Sequence, residues 1–446
     1  MVKKIFALSA AVLAAGLISF VSAAQAPAKA YAQQAQPLAD QVSDDKQILT
    51  YSRTFYDIFG TEATIALYDY FETEQSKNDA IEFVDGVYDT LRALEKELSV
   101  SIEGSDIYNF NAAPAGEKVE ISQNTYKVLE YALEVYADTN GAYNAGVYYS
   151  VDLYGFAART DNEKRPYDRD DYTTQLPDKK YVKAFQELSE SFGDIALASQ
   201  DGKYYVIKPQ DVVKVEGDPT EYNLHIDLGG IGKGYAADVV DDMLEEAGYT
   251  NSYFSFGSSS MAINGSATSE DGKWELTFRD PRGNLVEYYL TTRAANVSVS
   301  TSGDYEQYYE IGGKRYCHII DPEPGSPINN GIITATVIGG TAAEDDARTT
   351  ALCCMTLKEA REYMNSEEVK QLGLKIAVVY QNFLGWMTVY TNMADGEYTL
   401  SLHNSLYSWV YLVIVVLVVV VAVAIYIIVR VVNKKRQLKN SQSETK

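Results

Sequence analysis

Two groups of residues in this chain have the types and spacing that phosphate and metal chemistry require. The first is Asp227-Leu-Gly-Gly230-Ile-Gly-Lys233-Gly-Tyr-Ala-Ala-Asp238, where an extended run ends in an acid, closely spaced glycines follow and a lysine opens a helix. Backbone N–H groups from a glycine turn at a helix start, beside an acid and a lysine, suit a phosphate together with a cation. A glycine turn that only packs tightly has the same pattern. The second group is Thr341-Ala-Ala-Glu344-Asp345-Asp346-Ala-Arg-Thr349-Thr350-Ala351, where Asp346 and Thr350 stand four apart and share a helix face. Carboxylate and hydroxyl oxygens are hard donors of the kind Mg²⁺ takes while it keeps waters and binds jointly with substrate phosphates. For Glu344 to Asp346 the competing reading is helix capping with favourable dipole interactions.

Two shorter stretches add candidates. Thr301-Ser302-Gly303-Asp304-Tyr305 is a small-residue turn after a strand, and Arg315 to Pro322 sets His318 three residues before Asp321. His318 reads either as a structural histidine or as a catalyst, and Asp321 before proline can equally form a turn. The pattern GGxGKG is neither a dinucleotide fingerprint, whose βαβ continuation and later acid are missing, nor a Walker A loop, which needs GxxxxGK[ST].

The elements that must position these residues follow from periodicity. Ile81, Val84, Val87, Tyr88, Leu91, Leu94 and Leu98 mark one face of a long helix, and Leu98 to Asn111 reads as a polar loop. A second helix spans Thr125–Ala137, stopped by Asn140-Gly141, and a third spans 178–192. Residues 203–208 and 222–227 read as strands, and Ala236, Val239, Val240, Met243, Leu244 and Ala247 give the glycine turn its helix. Tyr253–Asn264, Trp274–Arg279, Val286–Leu290, the segment around Val297 and Ile332–Ile338 alternate as antiparallel strands. Ala342–Cys354 and Leu357–Met364 are helical, and Ile376–Tyr380 with Trp386–Tyr390 forms a closing hairpin. Helices segregated from hairpins predict an α+β fold with mixed or antiparallel sheets and packed helices. A body of this size is large for one core, so two lobes around a nucleotide cleft are expected.

Both ends depart from this pattern. Lys3 and Lys4, an apolar run and small residues near Ala24 read as a signal peptide over 1–26, followed by a flexible lead-in at 27–50. The body spans 51–395 and a juxtamembrane linker 396–408. The uncharged run 409–429 reads as a transmembrane helix, with Tyr407 and Trp409 at the interface. Arg430, Lys434, Lys435, Arg436 and Lys439 in the tail 430–446 place that tail in the cytoplasm and the body outside, at the cell membrane. The whole chain carries −24, with two lysines in the leading segment and six basic groups against one acid in the tail, so the body carries −31. No basic stripe is present to neutralise phosphates, which excludes nucleic acid as a partner. Cys317, Cys353 and Cys354 are too few and too badly placed for a disulfide framework, and Cys353 and Cys354 in an apolar helix read as core residues.

Taken together, the motifs resemble the ApbE family of FAD:protein FMN transferases. The pieces that carry the resemblance are Asp227-Leu-Gly-Gly230-Ile-Gly-Lys233-Gly-Tyr-Ala-Ala-Asp238, Thr301-Ser-Gly-Asp-Tyr305, His318-Ile-Ile-Asp-Pro322 and Asp346-x-x-x-Thr350, in matching order and spacing. Phe59-Gly60-Thr61, Leu98-Ser99, Ser105-Asp106-Ile107 and Asn109/Asn111 agree with it. The resemblance covers most of residues 55–390. It implies FAD as substrate in a cleft, Mg²⁺ at its pyrophosphate, transfer of FMN to a Thr or Ser hydroxyl of another protein, and release of AMP. It also implies residue roles: Asp227 and Lys233 contact FAD, while Gly230, through its carbonyl, and Asp346 and Thr350 hold the metal. Phe59 and Ile319 lie along the nucleotide, and His318 sits near the reacting phosphate. Asp345, Asp346 and His318 all remain candidates for the base.

The chain departs from the family pattern at several nucleotide-side positions. Ala142-Tyr143-Asn144 stands where a Phe-Asp pair is usual, Ser101 where an aromatic residue often supports a ring, and Gly257-Ser258-Ser259 where paired glycines are common. Ser101, Ala142, Tyr143 and Asn144 are therefore candidate FAD contacts of altered chemistry. Two other functions compete, namely FAD hydrolysis to FMN and AMP, and a non-catalytic membrane-tethered flavin-binding protein. The acceptor is expected outside the membrane and to be a flavin-dependent redox protein, with lipid as the partner of the C-terminal helix.

Overall fold

Eight segments rich in β-branched and aromatic residues pair edge to edge in the order in which they occur in the chain. Tyr51–Ile58 (β1), Thr61–Leu67 (β2), Ser252–Phe256 (β3), Ser260–Asn264 (β4), Val297–Gly303 (β5), Ile332–Ile338 (β6), Lys375–Gln381 (β7) and Met387–Thr391 (β8) form one sheet, antiparallel at every step. The computed structural model describes residues 50–443 apart from 69–70, 72, 160–163, 258, 266–270, 284–287, 383–384, 386 and 401. The expected signal peptide, the lead-in as far as residue 49 and Ser258 lie outside these residues.

Period-two alternation decides what each face of the sheet meets. On β6, Ala335 and Val337 join the main core, whereas Ile338 joins a smaller one; on β7, Ile376 and Val378 face the main core while Ala377 and Val379 face the other. An irregularity in the β6–β7 register between Ile332 and Thr334 shifts the alternation, so that Ile332 shares the main core with Ala335 and Val337 while Ile333 joins the smaller one. The smaller core is closed by a three-stranded sheet of Trp274–Arg279, Tyr288–Ala294 and Tyr398–Leu400, which contributes Leu276, Phe278, Tyr289 and Leu290. The last of these strands lies beyond residue 395.

Most of the helices cover the main-core face. Among the described residues six occur between β2 and β3: Glu74–Leu98 (α1), Asp106–Ala112 (α2), Gln123–Asp138 (α3), Tyr148–Leu153 (α4), Lys179–Ser189 (α5) and Gly232–Glu246 (α6). Of these, α4 and α5 bury Leu153, Tyr181, Phe185 and Leu188 in a third, separate core. Ala342–Cys354 (α7), Leu357–Met364 (α8) and Glu367–Leu372 (α9) connect β6 to β7. Along α1, Val84, Val87, Leu91, Leu94 and Leu98 are buried as the spacing predicts, but Ile81 is exposed and Ala80 takes the inward position. The expected polar loop up to Asn111 contains α2, because Ser105 caps the Tyr108 N–H and Ile107 and Phe110 bury their side chains. Cys317, Cys353 and Cys354 are free and buried. Leu402–Ser443 forms a last helix (α10) whose stretch Val413–Lys435 is long and apolar enough to cross a membrane and exposes its apolar side chains. Those properties indicate a membrane anchor.

Candidate active site

The glycine turn is held from below before it reaches any ligand. The Asn111 side chain accepts from Ile226 N–H at 2.8 Å and donates to Ile226 C=O at 2.9 Å, replacing the strand pairing expected as far as residue 227. Asp227 N–H donates to Ala145 C=O at 2.8 Å. The Asp227 carboxylate turns inward along the chain and accepts from Gly229 N–H at 2.8 Å, while Lys233 Nζ reaches back to Gly229 C=O at 3.0 Å. Burial pushes the Asp227 carboxyl up, against the Gly229 N–H and the Lys233 charge.

The second motif closes on this turn through backbone-to-backbone contact. A Cβ at Gly234 would lie 2.1 Å from Ala342 C=O, so only glycine lets α6 approach the start of α7 this closely. The Asp238 carboxylate accepts from Ala342 N–H at 2.7 Å and Ala343 N–H at 2.8 Å, satisfying two of the orphan donors of α7. Thr341 caps the same helix end.

Three consecutive acids then separate. Glu344 pairs with Arg348 at 3.1 Å. Asp345 accepts from Ser298 Oγ at 2.5 Å and Gly340 N–H at 3.0 Å, and faces Arg348 at 3.6 Å. Asp346 turns to the glycine stretch, where it accepts from Gly234 N–H at 3.1 Å. It is 2% exposed, and burial raises its carboxyl pKa against the opposing pull of Lys233 and the Gly234 N–H. A Cβ on Gly230 would lie 3.3 Å from Thr350 Oγ1, which places Gly230 against the residue one turn beyond Asp346.

Asp346, Thr350 and Gly230 therefore come together from two motifs. Among the described residues no three His, Cys, Asp or Glu side chains gather as a metal cluster. This set has one carboxylate, one hydroxyl and one backbone carbonyl, all hard oxygens, and suits a divalent cation that keeps several waters. A carboxylate this deeply buried, offset by the Gly234 N–H, the Lys233 charge and the nearby Ser260 hydroxyl, fits a bound cation on energetic grounds.

The remaining candidates divide. Tyr143 is 2% exposed, its ring lies 3.5 Å from a Cβ built on Gly230, and its hydroxyl has no hydrogen-bond partner among the described residues. Burial raises its pKa well above the ordinary value, reinforced by Asp346 and Asp227. Asn144 has both polar ends engaged, with Gly146 N–H at 2.7 Å and Ser189 C=O at 2.9 Å. Ala142 and Asn144 line a cavity of about 580 Å³ whose walls include Asp138, Glu190, Asp321, Glu359 and Glu368. Such a cavity repels phosphate, unlike the Lys233 side of the turn.

Phe59 has φ 50°, stacks edge-on against Phe256 at 5.6 Å and comes within 3.6 Å of a Cβ built on Gly232, so it flanks the helix start. Ser101 turns back to Ser99, its N–H and hydroxyl each 3.2 Å from Ser99 Oγ. Ile319 is 5% exposed in the main core, its C=O taken by Ile328 N–H. His318 is partly buried beside Gln307 C=O, and burial together with Lys233 lowers its pKa.

Sequence reading missed the polar supports. Ser298 and Ser302 bond Asp345 and Thr349, and their period-two spacing along β5 was the available signal. The capping role of Asp238 carried no comparable local signal, because its partners lie 104 and 105 residues away.

A family model described as "ApbE family" matches residues 59–372. The FAD:protein FMN transferase of Escherichia coli (strain K12) is 26% identical over 311 residues, covering 69% of this chain and 80% of that protein. The protein of the same name from Klebsiella pneumoniae (strain 342) is 28% identical over 305 residues, covering 67% and 77%. Among solved structures, the flavin transferase ApbE from Vibrio cholerae superposes with a TM-score of 0.59 at 23% identity, covering 77% of this chain and 97% of that one. The ApbE protein from Thermotoga maritima gives 0.59 at 22% identity, covering 76% and 96%.

Proposed function

The chain belongs to the ApbE family, and we propose that its chemistry is centred where the glycine turn meets Asp346 and Thr350. It is an FAD:protein FMN transferase and moves FMN from FAD to an acceptor protein. The juxtaposition of Asp346 with Gly234 and of Gly230 with Thr350 carries the assignment of the centre. In this reading FAD lies in a cleft between two lobes, its pyrophosphate over the glycine turn.

The acceptor Thr or Ser oxygen forms a bond to the FMN phosphorus, the bond to the bridging oxygen breaks, AMP leaves and the hydroxyl proton passes to a base. Mg²⁺ held by Gly230, Asp346 and Thr350 would supply charge stabilisation at the pyrophosphate. Lys233 and the turn amides neutralise remaining oxygens. Asp227 orders the turn through Gly229. His318 is our choice of base, since burial and the Lys233 charge favour its uncharged form. Asp345 is committed to Ser298, Gly340 and Arg348, which argues against a share in proton transfer. Phe59, Ile319, Ser101 and Tyr143 complete the nucleotide side of this reading, with Ala142 and Asn144 shaping its wall through backbone and packing rather than through a free polar group.

The signal segment, apolar helix and basic tail support an orientation in which the body lies outside the cytoplasmic membrane and the tail inside. The acceptor is then an extracytoplasmic protein, and a redox protein is the class that uses bound flavin. Incubating the full chain with FAD, Mg²⁺ and a candidate acceptor, then weighing the acceptor, tests transfer. An added FMN mass is expected, and accumulation of free FMN with no adduct on any Thr- or Ser-bearing acceptor overturns transfer in favour of hydrolysis. Omitting Mg²⁺ should abolish the adduct, whereas undiminished transfer in chelator overturns the metal assignment.

A further inference from the structure

The Tyr143 hydroxyl, like the Ser260 hydroxyl near Asp346, is a buried polar group that the described residues leave without a partner. It is carried on a side chain only 2% exposed, and no acceptor or donor among the described residues reaches it. Its backbone is fixed, with Tyr143 N–H donating to Thr139 Oγ1 at 3.2 Å. Its ring edge stands 3.5 Å from a Cβ built on Gly230, a point itself 3.3 Å from Thr350 Oγ1. A buried hydroxyl left unbonded carries an uncompensated desolvation cost, and a phenylalanine would fill the same space without that cost. Asn144, next in the chain, spends both polar ends on the protein and offers nothing to a ligand.

We propose that the Tyr143 hydroxyl is a ligand-binding donor, hydrogen-bonding an oxygen held between Gly230 and Thr350 when FAD and Mg²⁺ bind. This rests on the placement of the metal and pyrophosphate at Gly230, Asp346 and Thr350 given above. The oxygen is either a water on the metal or an oxygen of the FAD pyrophosphate, both of which accept a hydrogen bond. The residue thereby ties the tightness of substrate binding to a group that contributes nothing to the unliganded fold.

The test uses the full chain in detergent micelles, as wild type, Tyr143→Phe and Asp346→Asn. Thermal unfolding is recorded without ligand, Mg²⁺ binding alone by calorimetry, and FAD binding in saturating Mg²⁺ by flavin fluorescence. Tyr143→Phe should keep or raise the unliganded midpoint and weaken FAD binding about tenfold, the scale of one lost hydrogen bond to a charged ligand. Weakened Mg²⁺ binding alone identifies a metal-bound water as the acceptor, while weakened FAD binding with unchanged Mg²⁺ binding identifies the pyrophosphate. FAD and Mg²⁺ affinities both within about twofold of wild type would overturn the proposal. Asp346→Asn reports separately on the metal assignment. If that variant keeps Mg²⁺-dependent FAD binding, the assignment fails while the Tyr143 comparison is still decided by FAD affinity.

Discussion

Asp346 accepts a hydrogen bond from the backbone N–H of Gly234, 112 residues earlier in the chain, at 3.1 Å. That bond joins the two motifs, and it exists because Gly234 has no Cβ and Asp238 bonds the first amides of α7. The turn and the acidic helix are thus one unit, so substitutions in either should affect both.

Gly234→Ala drives a methyl to 2.1 Å from Ala342 C=O, and backbone on both sides leaves no flexible side chain to give way. The expected loss is about 1–3 kcal/mol or more, with transfer activity falling because the Asp346 bond lengthens. Thermal unfolding and acceptor labelling, measured on the same preparation, check it. An unchanged midpoint with full labelling contradicts the close approach.

Asp346→Asn and Asp345→Asn should behave differently although they are neighbours. The first should lower transfer by about 100-fold or more, as expected when an electrostatic contact to developing charge is lost, with little loss of fold. The second should mainly destabilise, because Asp345 bonds Ser298 and Gly340 and faces the buried Arg348. Paired measurements of labelling rate and unfolding midpoint would reveal a reversed pattern, which would exchange the two roles.

Asp238→Ala removes the acceptor for two N–H groups at the start of α7. Loss of a helix cap costs about 0.5–2 kcal/mol. Hydrogen exchange at Ala342 and Ala343 should accelerate, and exchange as slow as in the wild type would contradict the cap.

Stability should fall as pH rises from about 4 to 7, four raised carboxylates together outweighing buried His225, whose pKa is lowered to about 3 and which acts in the opposite direction. Burial raises Asp238 to about 7, Asp321 to about 6 and Asp345 to about 6, and burial with Asp138 beside it raises Glu368 to about 7. Each folded-state pKa is above its unfolded value, so the folded protein holds protons that the unfolded chain releases in this window. The contribution is complete below the unfolded values and is lost as pH passes through the folded ones. In chelator, the unfolding midpoint should be higher at pH 5.5 than at pH 7.5; the opposite order would contradict these shifts.

Much of the chemistry was legible along the chain because it depends on local grammar. Glycines 229, 230, 232 and 234 with Lys233 mark a turn entering a helix, and Asp346 with Thr350 shares a helix face through the 3.6-residue period alone. The apolar run in α10 announces its length in the same way. Short range is also where that grammar ends: Ser105 and two buried side chains turned an expected loop into α2, and Ala80 displaced Ile81 from the inner face of α1.

The resemblance singled out Asp346 among Glu344, Asp345 and Asp346, and only the tertiary structure shows what each of the three touches. All three have the same functional group at adjacent positions, so type and local spacing offered both capping and metal binding. Helical rotation directs them to Arg348, to Ser298 and Gly340, and to Gly234, and these partners come from distant parts of the chain. The orphaned Tyr143 hydroxyl belongs to the same category, since a missing partner can be seen only after every neighbour is in place. The sequence determined which groups were available and which lay on a common face; long-range packing determined which of them meet.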